Sequence, residues 1–187
     1  MRSRLEGQIV LRQTGELINE SFSAINVALN EVTIGRGPYN NHAHLELYIN
    51  EKLVTQVDGD GLIVSTPTGS TAYALSAGGG LVHPSVPAIL ISPMCHHSLS
   101  FRSFVVPSDS RLKIRILPET KHAAYISFDG RQYIQLDQTR DFVITTSSYF
   151  VPTLVEKDNT WFSDLQEVMQ WNKQSKYTSL VSITDNM

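Results

Sequence analysis

Two stretches concentrate the residue types that do chemistry. Ser65-Thr66-Pro67-Thr68-Gly69-Ser70-Thr71-Ala72-Tyr73 gathers hydroxyl side chains and backbone bends just before a helical stretch. Such a segment can aim hydroxyls and N–H groups at a polar ligand, with Tyr73 as a stacking wall. It can equally be a capping turn around a core tyrosine, and spacing does not choose between the two. The second stretch is Ala28-Leu29-Asn30-Glu31-Val32, an amide and a carboxylate inside an otherwise apolar strand. Asparagine donates and accepts while an ionised glutamate only accepts, so the pair suits a ribose diol. The alternative is a strand-end hydrogen bond to a neighbouring turn.

Other constellations are incomplete. His42 and His44 stand two apart, so a strand would face them the same way, and two neutral imidazoles can share a metal. No third ligand lies near them in sequence, so a polar strand edge is expected and no metal is assigned. His96 and His97 would point opposite ways on a strand, and Cys95 beside them does not make a zinc site. Asp58-Gly59-Asp60-Gly61 opens like a calcium loop, but Leu62 and Gly69 stand at its fifth and twelfth positions. Gly69-Ser70-Thr71 lacks the lysine of a P-loop. There is no G-x-G-x-x-G opening a helix after a strand, and no G-x-S-x-G elbow.

The elements around these residues follow a period of two. His44-Leu45-Glu46-Leu47-Tyr48-Ile49 and Arg111-Leu112-Lys113-Ile114-Arg115-Ile116 put aliphatics on one face and polar groups on the other. Arg4–Leu11, Tyr125–Phe128, Tyr133–Leu136 and Phe142–Thr146 continue the pattern. Turn signals separate them at Asn50-Glu51, Asp58-Gly59-Asp60-Gly61, Pro107-Ser108-Asp109 and Asp129-Gly130. The expectation is a mainly β fold, an antiparallel β-sandwich, with a short helix at the Thr71–Ala77 end of the hydroxyl segment. A C-terminal helix over Trp161–Asn172, capped by Asn159 or Thr160, is expected to pack on the sheet. Residues 1–172 are expected to form one domain, and 173–187 a polar, flexible tail.

Composition narrows the function classes. Of 187 residues 41% are hydrophobic, enough for a core without staples. The charge of −3, from 15 basic and 18 acidic residues, excludes a general phosphate-backbone binder, so no nucleic-acid partner is expected. No apolar run reaches the ~20 residues of a spanning helix, so no membrane partner is expected. One cysteine forbids an internal disulfide and fits a cytoplasmic protein, with a mitochondrial one also compatible.

The motifs together resemble one family. Asn30-Glu31, the unbroken string from Gly59 to Tyr73, Gly78-Gly79-Gly80 and His83-Pro84 occur in order. They are followed by His97-Ser98-Leu99-Ser100-Phe101-Arg102, Val105-Val106-Pro107, Ser127-Phe128-Asp129-Gly130, Trp161-Phe162 and Trp171-Asn172. This collinear set is similar to the NAD kinases, most of all their eukaryotic cytosolic branch, from about Arg4 to Asn172. The resemblance implies phosphoryl transfer from ATP, with Mg2+, to the adenosine-ribose 2′-hydroxyl of NAD, giving NADP. It implies that Asn30 and Glu31 contact the ribose and adenine part of NAD. Thr68, Thr71, Ala72 and Tyr73 would form the adenine pocket, Ser76 its flank, and Asp60 would lie toward the nicotinamide. Met94, Cys95, His96 and His97 would face a neighbouring subunit's site, implying a homo-oligomer. Family members carry the catalytic Asp in an upstream α/β domain, on a Gly-Gly-Asp-Gly loop that these 187 residues do not contain. The implied role is therefore that of the C-terminal NAD-binding domain, inactive alone. Competing readings are a non-catalytic dinucleotide-binding or oligomerisation module, and a lipid kinase of the same superfamily, which the Thr-Pro-Thr-Gly-Ser-Thr-Ala-Tyr string disfavours.

Overall fold

The alternating segments become strands that lie on two sheets. The structure, a computed structural model, describes residues 1–18, 26–38, 40–98, 100–154 and 160–170. Among them twelve strands pair antiparallel throughout. One sheet runs in the order β2 (Val27–Ala28), β1 (Leu5–Leu11), β12 (Arg140–Thr146), β9 (Leu112–Ile116), β4 (Ala43–Ile49) and β5 (Lys52–Gly59). The other runs β11 (Arg131–Leu136), β10 (Ala124–Phe128), β3 (Glu31–Gly35), β6 (Gly61–Ser65), β7 (Ala88–Met94) and β8 (Phe104–Pro107). The chain divides into two units, Met1–Thr153, which holds both sheets, and Leu154–Met187.

The core forms because both sheets turn aliphatics inward. Leu45, Leu47, Leu112, Ile114 and Ile116 from one sheet join Val32, Ile34, Leu62, Val64, Ile89 and Ile91 from the other in one buried cluster. Phe128 and Phe142 meet across the two sheets edge-to-face, with centroids 6.0 Å apart. Asn50-Glu51 and Asp129-Gly130 close hairpins with positive φ at both residues, the twist that two-residue hairpins need. Asp58-Gly59-Asp60-Gly61 is not a simple turn: β5 and β6 belong to different sheets, so the motif is the corner where the chain changes sheet.

β6 and β7 are buried along their whole length. The second sheet is covered on its outer face as well, where Ile63, Leu90 and Met94 pack with Ala74 and Val82 of the intervening segment. That segment holds the short helix expected between Thr71 and Ala77, preceded by a tighter turn. A 3-10 turn spans Thr68–Thr71 and a single helical turn, α1, spans Tyr73–Ser76. The hydroxyls of Ser70 and Thr71 donate to the carbonyls of Pro67 and Thr68, competing with the helical pattern.

In the second unit, α2 spans Trp161–Val168. Thr160 is the cap: its hydroxyl accepts the Ser163 N–H, and the Ser163 hydroxyl accepts the Thr160 N–H. Leu165 is buried. The expected continuation to Trp171-Asn172 and the tail 173–187 lie outside the described residues. Among the described residues no helix is long and apolar enough to cross a membrane.

One ion cluster ties the first sheet together. Arg115 grips Asp141 with two bonds, at 2.9 and 2.7 Å, and Arg12 adds a third at 3.2 Å. Burial pushes the Asp141 carboxyl up, but Arg115 and Arg12 outweigh it and hold the group below its usual range. A depressed carboxylate adds stability above its unfolded value that is lost as pH falls through the folded one. Asp141→Ala is therefore expected to lower stability by about 3 kcal/mol at pH 7. The gap to wild type should narrow in urea titrations run below the ordinary aspartate value of 3.8.

Candidate functional site

The site is built where β3, β6 and the hydroxyl segment converge. Asn30 is not inside a strand: β2 ends at Ala28, and Leu29-Asn30 bends from one sheet to the other before β3 starts at Glu31. Asp129, on the β10–β11 hairpin, holds this bend. Its carboxylate accepts the N–H groups of Leu29 at 2.8 Å, Asn30 at 2.8 Å and Glu31 at 3.1 Å. From the other side, Thr66 N–H donates to the Asn30 carbonyl at 2.8 Å, and Thr66 Oγ1 donates to the Leu29 carbonyl at 2.7 Å. Asp129 was legible in sequence only as half of a turn, because its partners lie far along the chain.

The hydroxyls of the 65–71 segment divide by role. Those of Ser65, Thr66 and Ser70 are buried and bonded to backbone carbonyls, as a capping turn requires. Ser70 Oγ also accepts the Val82 N–H, fixing the return of the chain. Thr71 Oγ1 donates to the Thr68 carbonyl within the 3-10 turn, and Ala72 links that turn to α1. Tyr73 is different: it is 48% exposed, a wall and not a core tyrosine.

Glu31 carries the unusual electrostatics. It is only 8% exposed, and its Oε2 is a buried oxygen with no hydrogen-bond partner among the described residues. Burial pushes its carboxyl up, the neighbouring Asp129 charge pushes it further, and the backbone N–H of Tyr73 pulls partly back. A buried acceptor left short of a donor calls for one from a ligand or water.

Tyr73 leads from Glu31 into a cavity of about 460 Å3. Its walls include Tyr73 and Ser76 on one side and Met94, Cys95 and His96 on another, with Phe101 and Arg102 closing it. The structure thus brings together two sets of residues that the sequence reading assigned to different roles. His96 Nδ1 is a second buried polar atom without a partner among the described residues. Phe101 and Arg102, unassigned from sequence, are part of the same wall. A smaller cavity near Gly7, Ile9, Phe128 and Phe142 contains none of the predicted residues.

Of the predicted residues, Asn30, Glu31, Asp60, Thr68, Thr71, Ala72 and His97 are not in the cavity lining. Asp60 lies just past the far end of the β3–β6 pair from Glu31, opposite Arg36 and so about 16 Å away at the rise of a strand. It pairs with Arg36 at 2.7 Å, and its N–H donates to the Met94 carbonyl. His97 turns away toward β5, donating its N–H to the Asp58 carbonyl. His96 and His97 are on a turn after β7, not on a strand.

Chemically, the junction offers an amide, a shielded carboxylate oxygen and an aromatic wall at one end of an apolar cavity. The family model for the ATP-NAD kinase C-terminal domain matches residues 29–156, which contain all of these groups. This chain belongs to the ATP-NAD kinase family. It is 47% identical over 155 residues to the ATP-NADH kinase YEF1 of Saccharomyces cerevisiae, covering 83% of this chain and 31% of the relative. To the NAD(+) kinase of the same yeast it is 38% identical, covering 97% of this chain and 36% of the relative. Among solved structures, yeast NADH kinase complexed with NADH superposes with a TM-score of 0.83 at 31% identity, covering 95% of this chain and 50% of that one. The chain therefore corresponds to the C-terminal domain of the family and spans about a third of these yeast relatives' length.

Proposed function

We propose that this chain is the NAD-binding half of an NAD kinase, which transfers the terminal phosphoryl of ATP to the adenosine-ribose 2′-hydroxyl of NAD. The observation that carries the reading is the unpartnered, buried Glu31 oxygen on a carboxyl bonded to the Tyr73 N–H, Tyr73 in turn lining a cavity of about 460 Å3. Asn30 and Glu31 hold the ribose hydroxyls. Tyr73 stacks on the adenine, with Thr68, Thr71 and Ala72 forming the pocket and Ser76 its flank. Asp60, at the other end of the β3–β6 pair, lies toward the nicotinamide. Yeast NADH kinase, of the same domain fold, has been solved in complex with NADH, which supports a dinucleotide ligand.

In the reaction the 2′-oxygen attacks the γ-phosphorus, the bond to the ADP oxygen breaks, and the hydroxyl proton leaves to a base. ATP enters as its Mg2+ complex, and the metal neutralises developing phosphate charge. The residues of this chain bind and orient NAD. The base and the phosphate-binding loop come from a Gly-Gly-Asp-Gly segment, which is not among these residues. Joined to such an α/β segment, the chain is expected to form NADP from NAD and ATP, whereas alone it forms none. Failure of the joined protein to make NADP contradicts the proposal.

Tyr73→Ala and Asn30→Ala are each expected to weaken NAD binding by about 1–3 kcal/mol while leaving the melting temperature nearly unchanged. Calorimetry and thermal melts of the same samples check both. A lower melting temperature with unchanged affinity would make these residues structural instead. The proposal includes a cytoplasmic setting and self-association through the β domain. Support for the latter comes from β5, an edge strand that exposes Leu53 and Val54, and light scattering should show a dimer or larger species.

A further inference from the structure

Next to the Met94–His96 wall lies a cluster that the dinucleotide reading does not use. His42 precedes β4, His44 lies on it, Asp58 faces His44 on β5, and His97 lies on the turn after β7. One ligand atom from each of His42, Asp58 and His97 lies within 4.8 Å of the other two. The Nδ1 atoms of His42 and His44 stand 3.3 and 3.4 Å from the same Asp58 Oδ1. A charge-assisted N–H···O bond spans about 2.7–2.9 Å. Ligands held about 2.05 Å from a tetrahedral ion stand about 3.3 Å apart. The His42–Asp58 and His44–Asp58 separations match the edges of a coordination tetrahedron better than hydrogen bonds.

The backbone is shaped to bring these groups together. A Cβ on Gly59 would stand 2.7 Å from His96 Cα and 2.8 Å from the Cys95 carbonyl oxygen, so only glycine lets β5 approach the turn this closely. The His97 N–H to Asp58 carbonyl bond, 2.9 Å long, fixes that approach. Cys95 takes φ 43, a left-handed conformation uncommon outside glycine, in the turn that delivers His97. The rings of His42 and His97 then meet edge-on, with centroids 4.1 Å apart.

We propose that His42, Asp58 and His97 bind a divalent transition-metal ion, with Zn2+ the best match and His44 or water as the fourth ligand. Two imidazoles and one carboxylate favour such an ion over Mg2+, which prefers oxygen ligands in octahedral array. His42, His44 and Asp58 are all partly exposed, so the ion enters from solvent. A cavity of about 310 Å3 lined by His42, His44, Glu119 and His122 gives it access. The bound ion ties β4 and β5 to the turn that continues into the Met94–His96 wall.

The test uses the whole 187-residue chain, stripped with chelator and without NAD, so its outcome is independent of the dinucleotide reading. Zn2+ is titrated by calorimetry and Co2+ by visible absorption, which is intense for tetrahedral sites. One ion per chain with micromolar or tighter affinity is expected, together with a rise in melting temperature on Zn2+ addition. His42→Ala, His97→Ala and the size-conserving Asp58→Asn should each weaken Zn2+ by roughly tenfold or more. His83→Ala, outside the cluster, should not. The proposal is overturned if wild type binds only in the millimolar range, or if folded His97→Ala or Asp58→Asn protein binds as tightly as wild type.

Discussion

Gly69→Ala is expected to lower the unfolding free energy by more than about 3 kcal/mol and to remove NAD binding altogether. A Cβ at this position would lie 2.1 Å from the carbonyl oxygen of Asn30 and 2.5 Å from its carbon. Both obstacles are backbone, and neither can yield cheaply. The Asn30 carbonyl is held by the Thr66 N–H and the Ser65 hydroxyl, while Asp129 grips the Asn30 N–H from the opposite side. Gly69 itself is tied to Thr66 Oγ1 at 3.1 Å. The extra methyl must therefore push apart the bend that presents Asn30 and Glu31. Urea unfolding of the variant against wild type measures the loss, and a loss under about 1 kcal/mol contradicts the packing described.

Glu31→Gln should separate stability from binding. The carboxyl of Glu31 is raised above its ordinary 4.5 by burial first, then by Asp129. A raised carboxylate favours the protonated folded state, so its stability contribution is full below the unfolded value and is lost as pH rises through the folded one. At pH 7 the native protein holds an unfavourable buried charge that the amide removes. The variant is expected to melt at a higher temperature than wild type at pH 7 and at nearly the same temperature at pH 4. NAD binding should weaken tenfold to a hundredfold, because an anionic acceptor for the ribose is lost, about 1.5–3 kcal/mol for a charged hydrogen bond. A lower melting temperature at pH 7, or unchanged affinity, contradicts the role assigned to Glu31.

Much of the framework was legible because half-buried strands leave a period of two. Leu45, Leu47, Leu112, Ile114 and Ile116 are buried as that pattern requires. β6 and β7 escaped the pattern, since the 66–82 segment covers the outer face of their sheet and both faces became apolar. The hydroxyl string was legible as a special segment but not in its division of labour. Ser65, Thr66 and Ser70 turned out to build the bend, and Tyr73 alone of the string lines the cavity. Asp129 and the His42–Asp58–His97 cluster were hidden for one physical reason. Their partners lie far along the chain: the β10–β3 pairing brings Asp129 to the Leu29–Glu31 bend, while the corner at Asp58-Gly59-Asp60-Gly61 and the turn after β7 bring the histidine cluster together.

The central claim is that the Glu31–Tyr73 junction and its adjoining cavity bind NAD. Calorimetric titration of NAD into wild type and Tyr73→Ala, both shown to be folded, tests it most directly. The account predicts one saturable site per chain in wild type and a roughly tenfold or greater weakening in the variant. Equal affinities in the two proteins, or no saturable binding in either, would contradict it.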